Sequence, residues 1–158
     1  MRQQERPARE LAFLLHDVQD PVNVGSAFRI ADAAKAQVIL TGITALPDHK
    51  LVQKVGRGKH KRVPWRTFET VEAAAAALVA EGFTIYAVEI TDQAKPYHLV
   101  EYPQKTCLLV GHEDHGVTKA ALALAHETVF IPMYGKGASL NVHVALGITA
   151  FHALHHDT

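Results

Sequence analysis

Residues 130–153 read FIPMYGKGASLNVHVALGITAFHA, an apolar run stopped by a proline, then a glycine loop, then a segment with helical periodicity. The run ending at Pro132 suits a buried strand, because proline cannot donate to a β-ladder. Gly135-Lys136-Gly137 lets the backbone turn sharply and come close to a ligand. Ser139 or Asn141 is placed to cap a helix whose apolar Val144, Ala145, Ile148 and Phe151 recur at helical spacing. A strand, a glycine loop and a helix N-terminus form a common seat for a small anionic or nucleotide-like ligand. An ordinary strand-to-helix turn reads the same way, since glycine loops are weak signals.

The same alternation extends outward through the chain. Short apolar runs predict strands at 11–15, 38–41, 63–68, 84–88, 106–110 and 128–131. Helical patterns follow at 23–34, at 70–81 with Thr70 as cap and Gly82 as stop, and at 118–125. Asp20-Pro21 is a turn signal ahead of the first helix. Strands alternating with helices imply an α/β fold, a mainly parallel sheet with helices on both faces. Ligands in such sheets bind beyond the carboxyl ends of the strands. Three polar, glycine-bearing loops fall there: 22–29, 111–116 and 133–141.

With 158 residues, 48% of them hydrophobic, the chain reads as one domain over 11–158 preceded by a tail over 1–10. The alanine run at 73–80 is too short for a membrane span and is flanked by Glu72 and Glu81. The first ten residues lack the apolar core of a secretory signal. The single cysteine, Cys107, precludes an internal disulfide framework, so a cytoplasmic protein with no membrane partner is the expectation.

Formal net charge is zero, but its distribution is uneven. Lys50, Lys54, Arg57, Lys59, Lys61, Arg62 and Arg66 account for seven of the 16 basic residues, with no acid among them. Such a window can face phosphates while the rest of the molecule stays acidic; a solvated loop is the plainer reading. Charges that serve solubility alone are usually mixed in sign.

Several chemistries are excluded by spacing. His112-Glu113-Asp114-His115 lacks the four-residue histidine separation of the helical zinc motif, and no metal is expected. Gly135-Lys136-Gly137-Ala138-Ser139 is not a triphosphate loop, and no dinucleotide glycine pattern or nucleophile elbow is present. Cys107 lies inside a strand, away from any helix N-terminus that would activate it. What remains is a loop cluster of Arg29, Glu113, Asn23, Asn141 and Ser139, each of which alone reads equally as a cap or a surface group.

Three segments together resemble the motifs of the SpoU (TrmH-like) branch of the SPOUT RNA methyltransferases: residues 23–33 (NVGSAFRIADA), 108–117 (LLVGHEDHGV) and 131–145 (IPMYGKGASLNVHVA). The resemblance implies a deep trefoil knot at the C-terminal end of the sheet and S-adenosylmethionine bound in it. It further implies a homodimer that completes the active site, and methyl transfer to a ribose 2′-hydroxyl of tRNA or rRNA. Carried over by position, it makes Gly111, Ile131, Met133, Ser139 and Leu140 cofactor contacts, with Val88 at a strand end as a further one. Arg29 matches the catalytic arginine, Glu113 the second-motif glutamate, and Asn23 and Asn141 the motif asparagines. His112, Ala138 and His143 depart from the usual pattern, His143 standing where a serine is common. RNA would meet the dimer surface and the basic window, through Lys54, Arg57, Lys59, Lys61 and Arg62.

On this reading Arg29 stabilises a developing alkoxide and anchors a phosphate, because a guanidinium is too weak an acid to serve as a base. Glu113 orients Arg29 through a charge-assisted pair, and Asn141 and Ser139 hold the ribose or shape the loop. The alternatives are a base methyltransferase on the same fold and a non-catalytic RNA-binding or assembly factor.

Overall fold

The central strands divide their apolar side chains between two cores. In β1 (Glu10–His16), Leu11, Phe13 and Leu15 enter one core while Ala12 and Leu14 enter the other. β2 (Gln37–Thr41) repeats this with Val38 and Leu40 against Ile39. β4 (Thr84–Val88) sends Tyr86 one way and Ile85 and Ala87 the other, and β6 (Lys105–Val110) splits Leu108 and Val110 from Cys107 and Leu109. Strands buried on both faces belong to a sheet covered on both sides, which is why they read as continuous apolar runs.

The computed structural model describes residues 8–137 and 139–156. With β3 (Trp65–Phe68), β5 (Lys95–Pro96) and β7 (Glu127–Phe130), the sheet has seven strands in the order β3-β2-β1-β6-β4-β7-β5. Every pairing is parallel, with Phe13 opposite Leu108 and Ala87 opposite Leu109 at the centre. One face is covered by α1 (Pro21–Ala34) and the C-terminal helix at Val142–Leu154, whose Phe28, Ala31, Leu146 and Ala150 are fully buried. The other face is covered by the helices at Val71–Ala80 and Lys119–Leu122 through Ala74, Leu78 and Ala121. Counting α2 (Lys50–Val55), these are α3 (Val71–Ala80), α4 (Lys119–Leu122) and α5 (Val142–Leu154).

The expected turn at Asp20-Pro21 is the helix start itself. Asp20 accepts a hydrogen bond from the Val22 N–H at 2.9 Å, and Pro21 sits in the first turn where a missing N–H costs nothing. Thr70 and Thr118 cap α3 and α4 by accepting from the N–H groups of Ala73 and Ala121 at 3.1 and 3.2 Å. The capping expected of Ser139 or Asn141 is not made: Asn141 holds the N-cap position of α5, but its side chain forms no capping bond. β5 and the 3-10 turn at Tyr97–Leu99 were not foreseen, being too short to show a period. The tail is shorter at its inner end than expected, since Glu10 is already in β1 and the Arg9 guanidinium donates to the carbonyls of Tyr102 and His156. Residues 1–7 of that tail, and Ala138 of the third motif, lie outside the described residues. No helix among the described residues is long and apolar enough to cross a membrane.

The basic window is not a loop. It holds α2, capped by His49, and a 3-10 turn at Lys59–Lys61. Burial of Val52 anchors α2 on the fold, and the backbones of α1 and α2 meet at Gly25 and Gly56. A Cβ built on Gly25 would stand 2.9 Å from both the Gly56 nitrogen and the Val52 carbonyl oxygen. A glycine inside a helix costs up to about 1 kcal/mol of propensity, here offset by this close crossing. Gly25→Ala should therefore destabilise the protein, by about 1–3 kcal/mol through overpacking, although alanine is the better helix former. Chemical denaturation checks this, and an unchanged or higher midpoint would show that α2 can move aside freely.

Candidate active site

The carboxyl ends of the neighbouring strands β6, β4 and β7 open onto a cavity of ≈ 440 Å³. Val88 ends β4 with Glu89 just after it, Val110 ends β6 with Gly111 just after it, and Phe130 to Met133 lead out of β7. Ser139, Leu140, Val142 and Ala145 close it from the start of α5. Val88, Gly111, Ile131, Met133, Ser139 and Leu140, the positions singled out as cofactor contacts, thus all line one cavity.

Two glycines allow the loop after β6 to fold back on itself. The N–H of His112 donates to the Gly116 carbonyl at 3.1 Å, and the Gly116 N–H returns to the His112 carbonyl at 2.8 Å. A Cβ on Gly111 would stand 2.7 Å from the Val117 Cα, so this close pairing requires glycine. Gly116 has φ +71°, and the Glu89 carboxylate occupies the space a side chain there would need. Glu89 accepts from the N–H groups of Val117 and Ile90, both at 2.9 Å, tying the end of β4 to the loop. Glu89 is a site residue that the motifs do not mark; its one signal in the sequence is an acid directly after an apolar strand at a carboxyl edge.

Glu113 does not hold Arg29, contrary to expectation. Its two carboxylate oxygens accept from the Gln19 N–H at 3.1 Å, the Asp20 N–H at 2.9 Å and the Asn23 side-chain amide at 3.1 Å. Arg29 is exposed on the outer face of α1, and its guanidinium makes no ion pair or side-chain hydrogen bond among the described residues. The physical reason is helical geometry. Asn23 and Arg29 are six residues apart, which places them on different faces of α1, and only the Asn23 face turns inward. Asn141 is exposed and outside the cavity walls.

Burial opposes the charged form of Glu113, but the Asn23 amide and the nearby backbone N–H groups outweigh it and hold the carboxyl below the usual glutamate range. The α1 N-terminus, where helix dipoles favour anions, adjoins the same carboxylate. His143, the second residue of α5, lies 2.7 Å from the Asn23 side-chain oxygen through its Nδ1. Motif residues from three distant segments are thereby joined in one chain of hydrogen bonds.

Among the described residues, the cavity walls carry Glu89, Glu113 and Asp114 but neither lysine nor arginine. That lining disfavours a polyphosphate and suits a ligand bearing positive charge. Lys136 is exposed and off the walls. Cys107 is buried, and burial pushes its thiol pKa up, as expected of an inert core cysteine. Among the described residues no group of three or more His, Cys, Asp or Glu side chains is placed to hold a metal.

In the basic window, Arg62 pairs bidentately with Asp32 at 2.8 and 2.9 Å, and Lys59 lies 3.6 Å from the same carboxylate. The Arg62 guanidinium, despite some burial and with help from Lys59, holds the Asp32 carboxyl below its usual range. Arg66 pairs with Glu81. Lys54, Arg57 and Lys61 are exposed and make no ion pair among the described residues.

A parallel sheet with a cavity across its central carboxyl ends, closed by a glycine loop and a helix start, defines a cofactor-binding α/β domain. The chain belongs to the SpoU rRNA Methylase family, whose model matches residues 10–151. It is 34% identical over 146 residues to the tRNA (guanosine(18)-2′-O)-methyltransferase of Thermus thermophilus, covering 91% of this chain and 74% of that protein. It is 31% identical over 144 residues to the enzyme of the same name from Escherichia coli K12, covering 91% of this chain and 62% of that protein. The chain thus spans less than two thirds of the E. coli relative. A solved AdoMet-bound rRNA methyltransferase from Sinorhizobium meliloti superposes with a TM-score of 0.87 at 29% identity, covering 98% of this chain and 62% of that one.

The Glu113 carboxyl has its pKa depressed by folding, so the latch to residues 19–23 stabilises the fold above the ordinary glutamate pKa of about 4.3 and is lost as pH falls through the lowered folded value. Glu113→Ala should lower the hydrogen-exchange protection of the Gln19 and Asp20 amides about tenfold at neutral pH. Acidifying the wild type below the usual glutamate range should reproduce that loss. Unchanged protection in the variant would mean that the loop is held by other contacts.

Proposed function

We propose that the protein transfers a methyl group from S-adenosylmethionine to a ribose 2′-hydroxyl of tRNA or rRNA. The observation that carries this reading is the convergence of Val88, Gly111, Ile131, Met133, Ser139 and Leu140 on one acid-lined cavity beside Glu113. Its volume, ≈ 440 Å³, lies within the range of small-molecule sites. Apolar Val88, Ile131, Met133 and Leu140 suit an adenosine, and the carboxylates of Glu89, Glu113 and Asp114 suit the positive charge of a sulfonium. When bound, S-adenosylmethionine supplies an electrophilic methyl group. The chain's residues supply position, since in-line displacement depends strongly on orientation. Ser139 and Asn141 would steady the acceptor ribose.

Arg29 lies outside the cavity walls, so its use at the reacting centre calls for a second copy of the chain. Support for a homodimer comes from α5, whose Val144, Ile148 and Phe151 form an exposed apolar stripe at helical spacing. Family membership supports a trefoil knot, with the segment between β7 and α5 as the part that would be threaded. That segment leads from the β7 edge of the cavity to a helix packed on α1, β1 and β6. RNA would approach along α2 and the turn after it, where Lys54, Arg57 and Lys61 remain unpaired and Lys59 and Arg62 are shared with Asp32. A cytoplasmic location fits such a substrate.

Arg29→Ala should leave S-adenosylmethionine binding intact by calorimetry while methyl transfer to RNA, followed with tritiated cofactor, falls at least about a hundredfold. Lost cofactor affinity with normal turnover would refute the assignment. Replacing Lys54, Arg57 and Lys61 together by glutamine should reduce the slope of log affinity for RNA against log salt by about two. If the slope stays the same, the RNA surface lies elsewhere.

A further inference from the structure

The hydrogen-bond chain through Asn23 fixes which nitrogen of His143 carries a proton. The Glu113 carboxylate can only accept, so the Asn23 atom 3.1 Å from it is the donating Nδ2. Asn23 Oδ1 therefore turns to His143, 2.7 Å away, and the His143 Nδ1 must be the donor. In the neutral ring the lone pair then resides on Nε2, which has no hydrogen-bond partner among the described residues. A ring held by one nitrogen, with the other free to accept a proton, is the arrangement of an oriented general base.

The motif residues Arg29, Glu113, Asn23 and Asn141 are poorly suited to that task. Arg29 is a guanidinium, effectively always protonated. The Glu113 carboxylate already accepts three hydrogen bonds and is made less basic by them. Asn23 and Asn141 have no basic atom. His143 is not a wall of the cavity, but its chain neighbour Val142 is, and Glu113, two hydrogen bonds away, is another. An acceptor hydroxyl must meet the methyl group from outside the space the donor fills, so a base beside the wall rather than in it fits the geometry.

We propose that His143 Nε2 accepts the proton of the ribose 2′-hydroxyl, with Asn23 and Glu113 holding its ring and tautomer. The inference rests on the methyl-transfer reading. The O–H proton passes to Nε2 as the oxygen–methyl bond forms and the sulfur–methyl bond breaks, its electron pair staying on sulfur as a neutral thioether. The imidazolium then returns its proton to water. Titratable groups on α5 and the elements packed against it include Asp20, Arg29 and Asp32 on α1 and its cap, Glu10 and His16 on β1, Tyr86 on β4 and Glu89 after it, Lys105 on β6 with His112 and Glu113 after it, Lys136 before α5 and His152 near its end. Of these Glu113, through Asn23, is the one wired to the ring by hydrogen bonds.

His143→Asn separates the roles, because an asparagine amide can still donate to Asn23 but offers no basic nitrogen. The measurement is the initial rate of tritium transfer from S-adenosylmethionine to total RNA from cells lacking the protein, between about pH 5.5 and 9. Expected is a wild-type rate that falls on the acid side in the imidazole range, and a variant about 10²- to 10⁴-fold slower without that limb. Cofactor affinity and melting temperature should stay near wild type. His143→Gln, with an amide placed nearer Nε2, serves as the second variant if the first is unstable. A variant within about threefold of wild type, or one slowed with its acid limb intact, overturns the proposal and leaves His143 as a packing latch. A wild type that methylates no RNA overturns the functional reading and this proposal with it.

Discussion

One carboxylate, that of Glu113, connects parts of the chain that the sheet alone would leave separate. Its partners Gln19, Asp20 and Asn23 lie about ninety residues away in sequence, at the start of α1. Through Asn23 it reaches His143 and so the start of α5. Helix α1 also packs against both α2 and α5. The position of Glu113 therefore influences how the basic helix, the exposed Arg29 face and the cavity sit relative to one another. Hydrogen bonds to a charged group are stronger than neutral ones, which is why one side chain can register three segments.

The cavity's location follows from the order of the strands. β1, β2 and β3 are laid down outward in one direction, and the chain then crosses so that β6 can later insert between β1 and β4. Loops leaving β6 and β7 converge on the end of β4, and space between diverging loops is where parallel sheets accept ligands. Gly111 and Gly116 let the β6 loop double back, and Glu89 fastens it. Two carboxylates, those of Glu89 and Glu113, thus tie the β6 loop to the end of β4 and to the start of α1.

Much of this was legible in the sequence because it depends on local pattern. The apolar runs marked six of the seven strands, and Thr70 and Thr118 declared their helices. Failures came where a distant contact overrode a local signal. The 50–66 window looked like a glycine-broken basic loop, yet the α1 surface at Gly25 and the burial of Val52 make a helix of its first turn and a half. Asn141 looked like a cap, but its side chain bonds none of the first amides. The partner of Glu113 could not be read either. Arg29 was the chemically natural choice, and only the helical phase of α1 decides in favour of Asn23 and two backbone N–H groups. His143 could be noticed as a departure from a family pattern, but its tautomer follows only from the three-dimensional chain of bonds.

Zero net charge is compatible with a polyanionic partner once the folded charges are sorted. Asp32 and Glu81 neutralise Arg62, Lys59 and Arg66 in part, so those cations steady the window's shape more than its field. Lys54, Arg57 and Lys61 remain exposed, while acids gather at the cavity. At physiological salt a field decays over about 8 Å, so a nucleic acid responds to the patch beneath it and not to the whole molecule. Separating the signs in this way would let one small domain hold a cationic cofactor and a phosphate backbone without either site repelling its own ligand. The close α1–α2 crossing at Gly25 and Gly56 joins the basic helix directly to the helix that carries Asn23, the partner of Glu113.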